Sequence, residues 1–175
     1  TTSERKVYEE VCQPLVQGAV KNGDRCLIIA FGQTGSGKTH TMRSSMNNVL
    51  HEIFEFNTFK SMKYYELRGD KVLDLLSNRK ECTLRTDGSG NVHVVGVRSV
   101  ECTSLKDAKE TLNHGILLRK TRATKNNPQS SRSHGIVEFI LNTGGTIQMI
   151  DLAGSEKGKD ADTQTPRLIK ELHLY

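Results

Sequence analysis

The stretch Gly32-Gln33-Thr34-Gly35-Ser36-Gly37-Lys38-Thr39 determines how the rest of the chain is interpreted. It fits the pattern GxxxxGK[ST] at every fixed position. Glycines in such a loop let backbone N–H groups turn toward phosphate oxygens, and the N-terminus of the next helix adds its positive dipole end. Lys38 can then reach the β- and γ-phosphates, and the Thr39 hydroxyl can ligate Mg²⁺. This stretch therefore predicts a nucleotide-phosphate loop.

The sequence on both sides of this loop has the pattern that a phosphate loop requires. Residues 26–31 form a short, continuously apolar run, which is typical of a strand buried on both faces in a parallel or mixed sheet. A helical pattern follows over residues 41–56. A strand, a glycine-rich loop and a helix are thus predicted in the order that places the loop at a helix N-terminus.

The first 22 residues carry apolar side chains at helical spacing. These positions are Val7, Val11, Leu15 and Val20. Pro14 interrupts the pattern, so a kink or two helical pieces are expected. The dipeptide Asn22-Gly23 is predicted to end the helix.

The remaining elements alternate between strands and helices. We predict a helix capped by Ser104, a short helix over 72–76 and a last helix near Pro166. Strands are predicted at residues 62–67, 136–141 and 147–150, and a hairpin from 83–85 and 92–97. The alternation predicts an α/β fold in one domain over residues 1–175, with a central mixed, mostly parallel sheet flanked by helices.

The composition agrees with one folded domain and excludes several other classes. The chain has 175 residues, of which 35% are hydrophobic, and a formal net charge of +5. No apolar run approaches the length of a membrane span, and no secretory leader is expected. The four cysteines form no CxxC pair, which suggests reduced thiols in a cytosolic protein. Residues 119–132 contain five basic and no acidic side chains.

Two further segments carry residues suited to phosphate chemistry. Residues 127–134 read NPQSSRSH, in which hydroxyls can ligate Mg²⁺ and Arg132 offers a planar fork for a carboxylate. A serine-rich loop alone is usually only a loop. Residues 151–156 read DLAGSE, where Asp151 can hold a metal-bound water and Gly154 frees an N–H for the γ-phosphate. Glu156 is a candidate partner for Arg132.

These three segments together resemble a known family. FGQTGSGKTHTM at residues 31–42, NPQSSRSH at 127–134 and DLAGSE at 151–156 resemble the P-loop, switch I and switch II of the kinesin motor domain. Their order and the intervening elements also match, so the resemblance covers essentially the whole chain. It implies a P-loop NTPase fold of kinesin type, an ATPase with ATP or ADP and Mg²⁺ as cofactors, and microtubules as partner.

The resemblance also implies a role for each matching residue. The phosphates would lie against the loop of residues 32–39 and the adenine against His40. Mg²⁺ would be held by Thr39, Ser131 and, through water, Asp151. The γ-phosphate would be sensed by Ser130 and Gly154. Arg132 and Glu156 would form a salt bridge that closes when ATP is bound.

A narrower resemblance points to the kinesin-13 group, whose members depolymerise microtubule ends. It rests on residues 14–17, 71–80 and 84–96. A cytoplasmic, microtubule-associated location is implied, with no nucleic-acid partner and no membrane span.

The chain also departs from the family pattern. A complete kinesin motor domain is much longer, with a strand before Thr1 and a long helix after Glu156. Residues 43–46 are too short for the usual loop in the P-loop helix, and residues 142–146 make a tight hairpin. We therefore expect an incomplete domain, with exposed sheet edges or a partner that covers them.

The resemblance and the departures from it leave two functions open. The first is an ATPase that performs work on microtubules; the second is a kinesin-like scaffold that holds nucleotide without turnover. The complete set of phosphate-site residues favours the ATPase. A nucleotide kinase or GTPase is disfavoured, because neither a set of lid arginines nor a base-reading Asn/Lys motif is present.

Overall fold

The computed structural model describes residues 2–69, 71–89, 92–120 and 133–154. The helical elements in this part are α1 (Thr2–Val7), a π-helical segment (Tyr8–Cys12), α2 (Gln13–Asn22), α3 (Lys38–Glu55) and α4 (Leu105–Lys120). The strands are β1 (Arg25–Ala30), β2 (Phe59–Arg68), β3 (Lys71–Asp74), β4 (Lys80–Thr86), β5 (Val92–Val95), β6 (His134–Leu141) and β7 (Thr146–Asp151). The strands form one sheet in the order β1-β7-β6-β2-β3-β4-β5.

The sheet is mixed, as predicted, but it is not mostly parallel. Among the described strands only β1 and β7 run parallel, with Ala30 beside Asp151 at their ends. The other five pairings are antiparallel. The sequence pattern overestimated parallel pairing because several neighbouring strands are joined by short turns, and a short turn can only connect antiparallel strands. The α/β fold class is confirmed.

Strand β1 lies at one end of the described sheet. The prediction that it is buried on both faces is wrong, since Ile29 is 41% exposed and the following Phe31 is 75% exposed. Its other face is covered: Cys26 and Ile28 pack with the helices. A continuous apolar run does not distinguish these two situations, because it shows neither how many neighbours a strand has nor what covers each face.

The N-terminal helical region is continuous from Thr2 to Asn22, so the expected division into two pieces at Pro14 is not seen. The helix instead changes type, with the π-helical segment between α1 and α2, and Pro14 lies in the first turn of α2, where its missing N–H is tolerated. Gly23, with φ of 76°, ends α2 in the left-handed conformation.

The apolar positions that the sequence shows at helical spacing do not, apart from Val20, form the side of this region that faces the core. Val7, Val11 and Leu15 are exposed, although their spacing is helical. The buried positions are Tyr8, Cys12, Val16, Ala19 and Val20. Both stripes have helical spacing, so the choice between them depends on how the helices dock on the sheet.

The larger hydrophobic core lies between the helices and one face of the sheet. Val49 and Leu50 of α3 and Leu112 of α4 contribute to it with alternate residues of β6 and β7, such as Phe139 and Met149. A second, smaller cluster contains residues of the opposite face. Its buried members are Tyr65, Leu67, Val72, Ile136 and Ile150.

The predicted short helix over residues 72–76 is wrong. Val72 belongs to β3, which pairs antiparallel with β2. A turn follows, in which the buried carboxylate of Asp74 accepts hydrogen bonds from the N–H groups of Leu76 and Arg98 at 2.8 and 2.7 Å. Pairing with a neighbouring strand overrides the local helical pattern of this apolar stretch.

Other local predictions are confirmed. Helix α3 runs unbroken from the phosphate loop, and Ser104 Oγ caps α4 by accepting from Asp107 N–H at 3.1 Å. The tight connection between β6 and β7 contains Gly144, whose φ is 88°. The last helix predicted near Pro166 lies outside the described residues.

The cysteines are free thiols, as the sequence suggested. Burial raises the pKa of all four, and that of Cys26 to about 11. Within the described ranges, no helix has both the length and the apolar character needed to cross a membrane.

Candidate functional site

The phosphate loop joins the end of β1 to the start of α3. Gly35 and Gly37 adopt φ values of 81° and 90°, which side chains other than glycine rarely tolerate. No heavy atom lies within 4 Å of where a Cβ would stand on either glycine. The loop is exposed over this stretch, so its backbone is open to a ligand in front of the α3 N-terminus.

The ammonium group of Lys38 is held against the same loop. Its Nζ donates to the carbonyl oxygens of Gly32 and Gln33, each at 2.7 Å. The first residue of α3 therefore presents its charge to the concave side of the loop, as the GxxxxGK[ST] pattern predicts.

Thr39 and Asp151 meet although they are 112 residues apart. Parallel pairing of β1 and β7 ends with Ala30 beside Asp151, so the carboxylate lies next to the loop that follows β1. Thr39 Oγ1 donates to Asp151 Oδ2 at 2.8 Å. Asp151 is 2% exposed, and its Oδ1 has no hydrogen-bond partner in the described part of the chain. Two hard oxygen donors are thus adjacent at the N-terminus of α3.

A buried arginine from the last turn of α4 also binds Asp151. Arg119 Nη1 donates to Asp151 Oδ2 at 2.6 Å, and Nη2 donates to the Ser133 carbonyl at 3.0 Å. Burial lowers the pKa of Arg119, but Tyr64, Asp151 and Glu66 raise the pKa by more, so it ends above its ordinary value. Arg119 is therefore a buried cation. Arg119, the first of the five basic residues in 119–132, therefore belongs to the buried part of the domain.

Ser133 links this cluster to a second buried ion pair. Its hydroxyl donates to Glu66 Oε1 at 2.6 Å. Arg79 Nη2 lies 2.7 Å from Glu66 Oε2, as an ion pair without hydrogen-bond geometry. Arg79 has φ of 62°, a conformation that is unfavourable for arginine. Ser133, which directly follows Arg132 in the chain, is thus anchored to β2 and, through Glu66, to the turn between β3 and β4.

The Glu66–Arg79 pair should contribute strongly to stability. Arg79→Ala would leave the carboxylate of Glu66, which is 0% exposed, without its cation. We expect the free energy of unfolding to fall by about 3–5 kcal/mol in a denaturant titration. The control is Lys71→Ala, which breaks the exposed pair with Glu81 and should change stability by less than about 0.5 kcal/mol. Equal, small losses for both variants would contradict a structural role of the Glu66–Arg79 pair.

The chain after Asp151 remains close to the site. Leu152 N–H donates to the Ala30 carbonyl at 3.3 Å, which extends the β1–β7 pairing by one bond. Ala153 N–H donates to His134 Nδ1 at 3.1 Å. Gly154 follows and is half-buried. The first part of the DLAGSE segment is thereby tied to β1 and to the start of β6.

His40 lies at the outer side of the site. Its side chain is 76% exposed, and Nδ1 contacts the carboxylate of Glu4 in α1. The expectation that His40 contacts an adenine remains a prediction.

The structure brings part of the predicted site together. Residues 32–39, Asp151 and Gly154 lie around the end of β1 and β7, while Ser130, Ser131, Arg132 and Glu156 lie outside the described residues. Sequence reasoning missed the role of Arg119. A signal was present, because Arg119 follows Ala108, Leu112 and Ile116 on the buried face of α4.

Strand β1, the glycine loop, Lys38 and the adjacent strand-end carboxylate together define a P-loop nucleotide-binding protein. The family description "Kinesin motor domain" matches residues 1–173. The chain belongs to the kinesin motor domain family.

Individual relatives agree with this assignment. The chain is 33% identical over 166 residues to diatom spindle kinesin-1 of Cylindrotheca fusiformis, covering 89% of this chain and 27% of that protein. It is 33% identical over 198 residues to the kinesin-like protein KIN-13A of Oryza sativa subsp. japonica, covering 93% of this chain and 24% of that protein. The chain thus spans about a quarter of the length of these relatives.

A solved structure supports the fold. A structure titled as that of a fast kinesin, with implications for ATPase mechanism and interactions with microtubules, superposes with a TM-score of 0.77 at 26% identity. The match covers 97% of this chain and 56% of that chain.

Proposed function

We propose that this domain binds Mg–ATP at residues 32–39 and hydrolyses it to drive work on microtubules. The observation that supports the proposal most directly is the 2.8 Å contact between Thr39 and Asp151 beside the loop. Membership of the kinesin motor domain family supports the same activity.

The residues at the site fit the nucleotide and its metal. The Thr39 hydroxyl and the unpartnered Oδ1 of Asp151 are hard oxygen donors of the kind Mg²⁺ prefers. When bound, Mg²⁺ would neutralise phosphate charge and polarise the γ-phosphate. We propose that Thr39 and Ser131 ligate it directly and that Asp151 accepts a hydrogen bond from one of its waters.

The remaining residues would bind and orient. Backbone N–H groups of residues 35–39 and the Lys38 ammonium would hold the phosphates, while Ser130 and Gly154 N–H would contact the γ-phosphate. Arg132 and Glu156 would pair when ATP is bound and order the attacking water. Catalysis of phosphoryl transfer is mainly positioning and charge stabilisation. These residues provide the types of group that such catalysis needs.

The proposed work on microtubules is depolymerisation of their ends. The sequence resemblance to the kinesin-13 group supports it, as do the relatives named KIN-13A and KIN-13B, the latter from Arabidopsis thaliana. Depolymerisation should appear as release of tubulin from stabilised microtubules in the presence of ATP.

Steady-state ATP turnover of the full-length protein, measured with and without microtubules, tests the proposal. Turnover that microtubules accelerate would support an ATPase motor. Nucleotide binding without turnover in either condition would instead support the scaffold function.

A second test concerns the metal. Thr39→Ala and Ser131→Ala should each weaken binding of a fluorescent ADP in Mg²⁺ by about tenfold or more, with a smaller loss in EDTA, because both hydroxyls would touch the same ion. Thr41→Ala, in the same helical turn as Thr39, is the control and should bind normally. Equal losses in Mg²⁺ and EDTA would contradict a shared metal.

A further inference from the structure

The chain leaves the sheet directly after β7, where the DLAGSE segment begins. Pairing between β6 and β7 ends with Gly135 beside Asp151. The next residue, Leu152, donates its N–H to the carbonyl of Ala30 in β1 at 3.3 Å. Beyond Asp151, the ladder with β6 therefore no longer holds this backbone.

A side chain replaces the ladder at the following residue. The N–H of Ala153 donates to Nδ1 of His134, the first residue of β6, at 3.1 Å. Because Nδ1 accepts this bond, the neutral imidazole carries its proton on Nε2. The backbone of His134 pairs with Leu67, and β6 lies between β7 and β2 in the sheet. The bond therefore ties Ala153 to a strand that is paired on both sides.

The location of this bond is important because Gly154 is the next residue in the chain. Under the proposed function, the Gly154 N–H contacts the γ-phosphate of ATP. The two residues before it are bound to two different strands, Leu152 to β1 and Ala153 to β6. A donor whose backbone is fixed before the ligand arrives loses less conformational freedom on binding.

Building on the proposed function, we propose that His134 is a positioning residue that holds the DLAGSE backbone so that the Gly154 N–H can meet the γ-phosphate. One side chain thereby connects the last residue of NPQSSRSH with the third residue of DLAGSE. ADP has no γ-phosphate, so its binding would not depend on this bond.

Three substitutions of His134 distinguish the two nitrogens of its ring. His134→Asn retains an acceptor in the right place, because the asparagine Oδ1 is as many bonds from the backbone as the histidine Nδ1. His134→Gln carries its acceptor one bond further out, where it matches Nε2 instead. His134→Ala removes both positions.

The experiment measures binding of two fluorescent nucleotides to the full-length protein in Mg²⁺, a non-hydrolysable ATP analogue and ADP. His134→Ala and His134→Gln should each weaken binding of the ATP analogue by about threefold to tenfold, the size of effect that one intramolecular hydrogen bond has. Their affinity for ADP should be essentially unchanged. His134→Asn should bind both nucleotides as the parent protein does.

Two further variants serve as references. His114→Ala removes an exposed histidine from α4 and should change neither affinity. Gly154→Ala adds a methyl group at the proposed γ-phosphate contact and should weaken binding of the ATP analogue far more than binding of ADP. Thermal melting identifies any variant that is unfolded, and the contrast between the two nucleotides in the folded variants then decides the result.

Three results would overturn the role of His134 while nucleotide binding stands. They are an unchanged affinity for the ATP analogue in His134→Ala, equal losses for both nucleotides, and rescue by His134→Gln but not by His134→Asn. The proposed function fails in a different way. Absence of nucleotide binding by the parent protein would overturn it, and equal effects of Gly154→Ala on both nucleotides would overturn its γ-phosphate contact.

Discussion

Replacing Lys38 with alanine is expected to lower nucleotide affinity by at least about 100-fold. The Lys38 ammonium stands against the loop, 2.7 Å from the Gly32 and Gln33 carbonyl oxygens. We expect it to make charge-assisted contacts with two phosphates, and each such contact contributes about 1.5–3 kcal/mol. A loss of two contacts corresponds to at least about 100-fold in the dissociation constant. Titration with a fluorescent ATP analogue measures this directly.

Lys106→Ala is the matched control for this variant. Lys106 is also a helical lysine, but its side chain is 86% exposed on α4, in a 4.0 Å pair with Glu110. Its loss should leave nucleotide affinity unchanged. Unchanged affinity in Lys38→Ala would refute the assignment of residues 32–39 as the nucleotide site.

The second large effect is expected for Arg132 and Glu156. If these side chains pair only when the γ-phosphate draws both switches inward, their pair stabilises the transition state far more than the free enzyme. Arg132→Ala and Glu156→Ala should each lower ATP turnover by about 100-fold or more, the size found when one stabilising donor is removed from a transition state. Nucleotide affinity should change by no more than a few-fold.

The double variant tests whether the two residues act as a unit. Arg132→Ala combined with Glu156→Ala should be scarcely slower than either single variant, since each one already breaks the pair. Multiplicative losses would mean that the residues act independently. Near-normal turnover in the single variants would mean that both are ordinary surface charges.

Local patterns predicted the elements that local interactions govern. Gly35, Gly37 and Lys38 identify a phosphate loop because their conformation and charge are needed wherever the chain folds around phosphate. Ser104 and Gly23 mark helix ends because caps act on backbone groups only a few residues away. The helix predictions are confirmed by α3, by the start of α4 and by the end of α2, while the binding of phosphate by the loop stays a prediction.

Predictions failed where distant partners decide the structure. Val72 was expected in a helix but pairs with Leu67 across a hairpin. Val11 belongs to the apolar stripe that the sequence shows at helical spacing but is exposed, because docking on the sheet buries the neighbouring stripe that contains Cys12 and Val16. The parallel character of the sheet was overestimated for the same reason, since strand order is not visible in the spacing of apolar residues.

In the candidate site, too, local features were predicted from the sequence, whereas contacts between distant residues were not. By itself the sequence predicted a phosphate loop at residues 32–39 and determined that the chain resembles kinesin motor domains, because both depend on residue types at close spacing. Only the tertiary structure decided that Thr39 and Arg119 share the carboxylate of Asp151. Those contacts span 112 and 32 residues, and they exist because the β1–β7 register places Asp151 beside the start of α3 and because α4 docks with Arg119 next to that carboxylate. Register and helix docking are set by the packing of the whole core, so no local stretch of sequence encodes them.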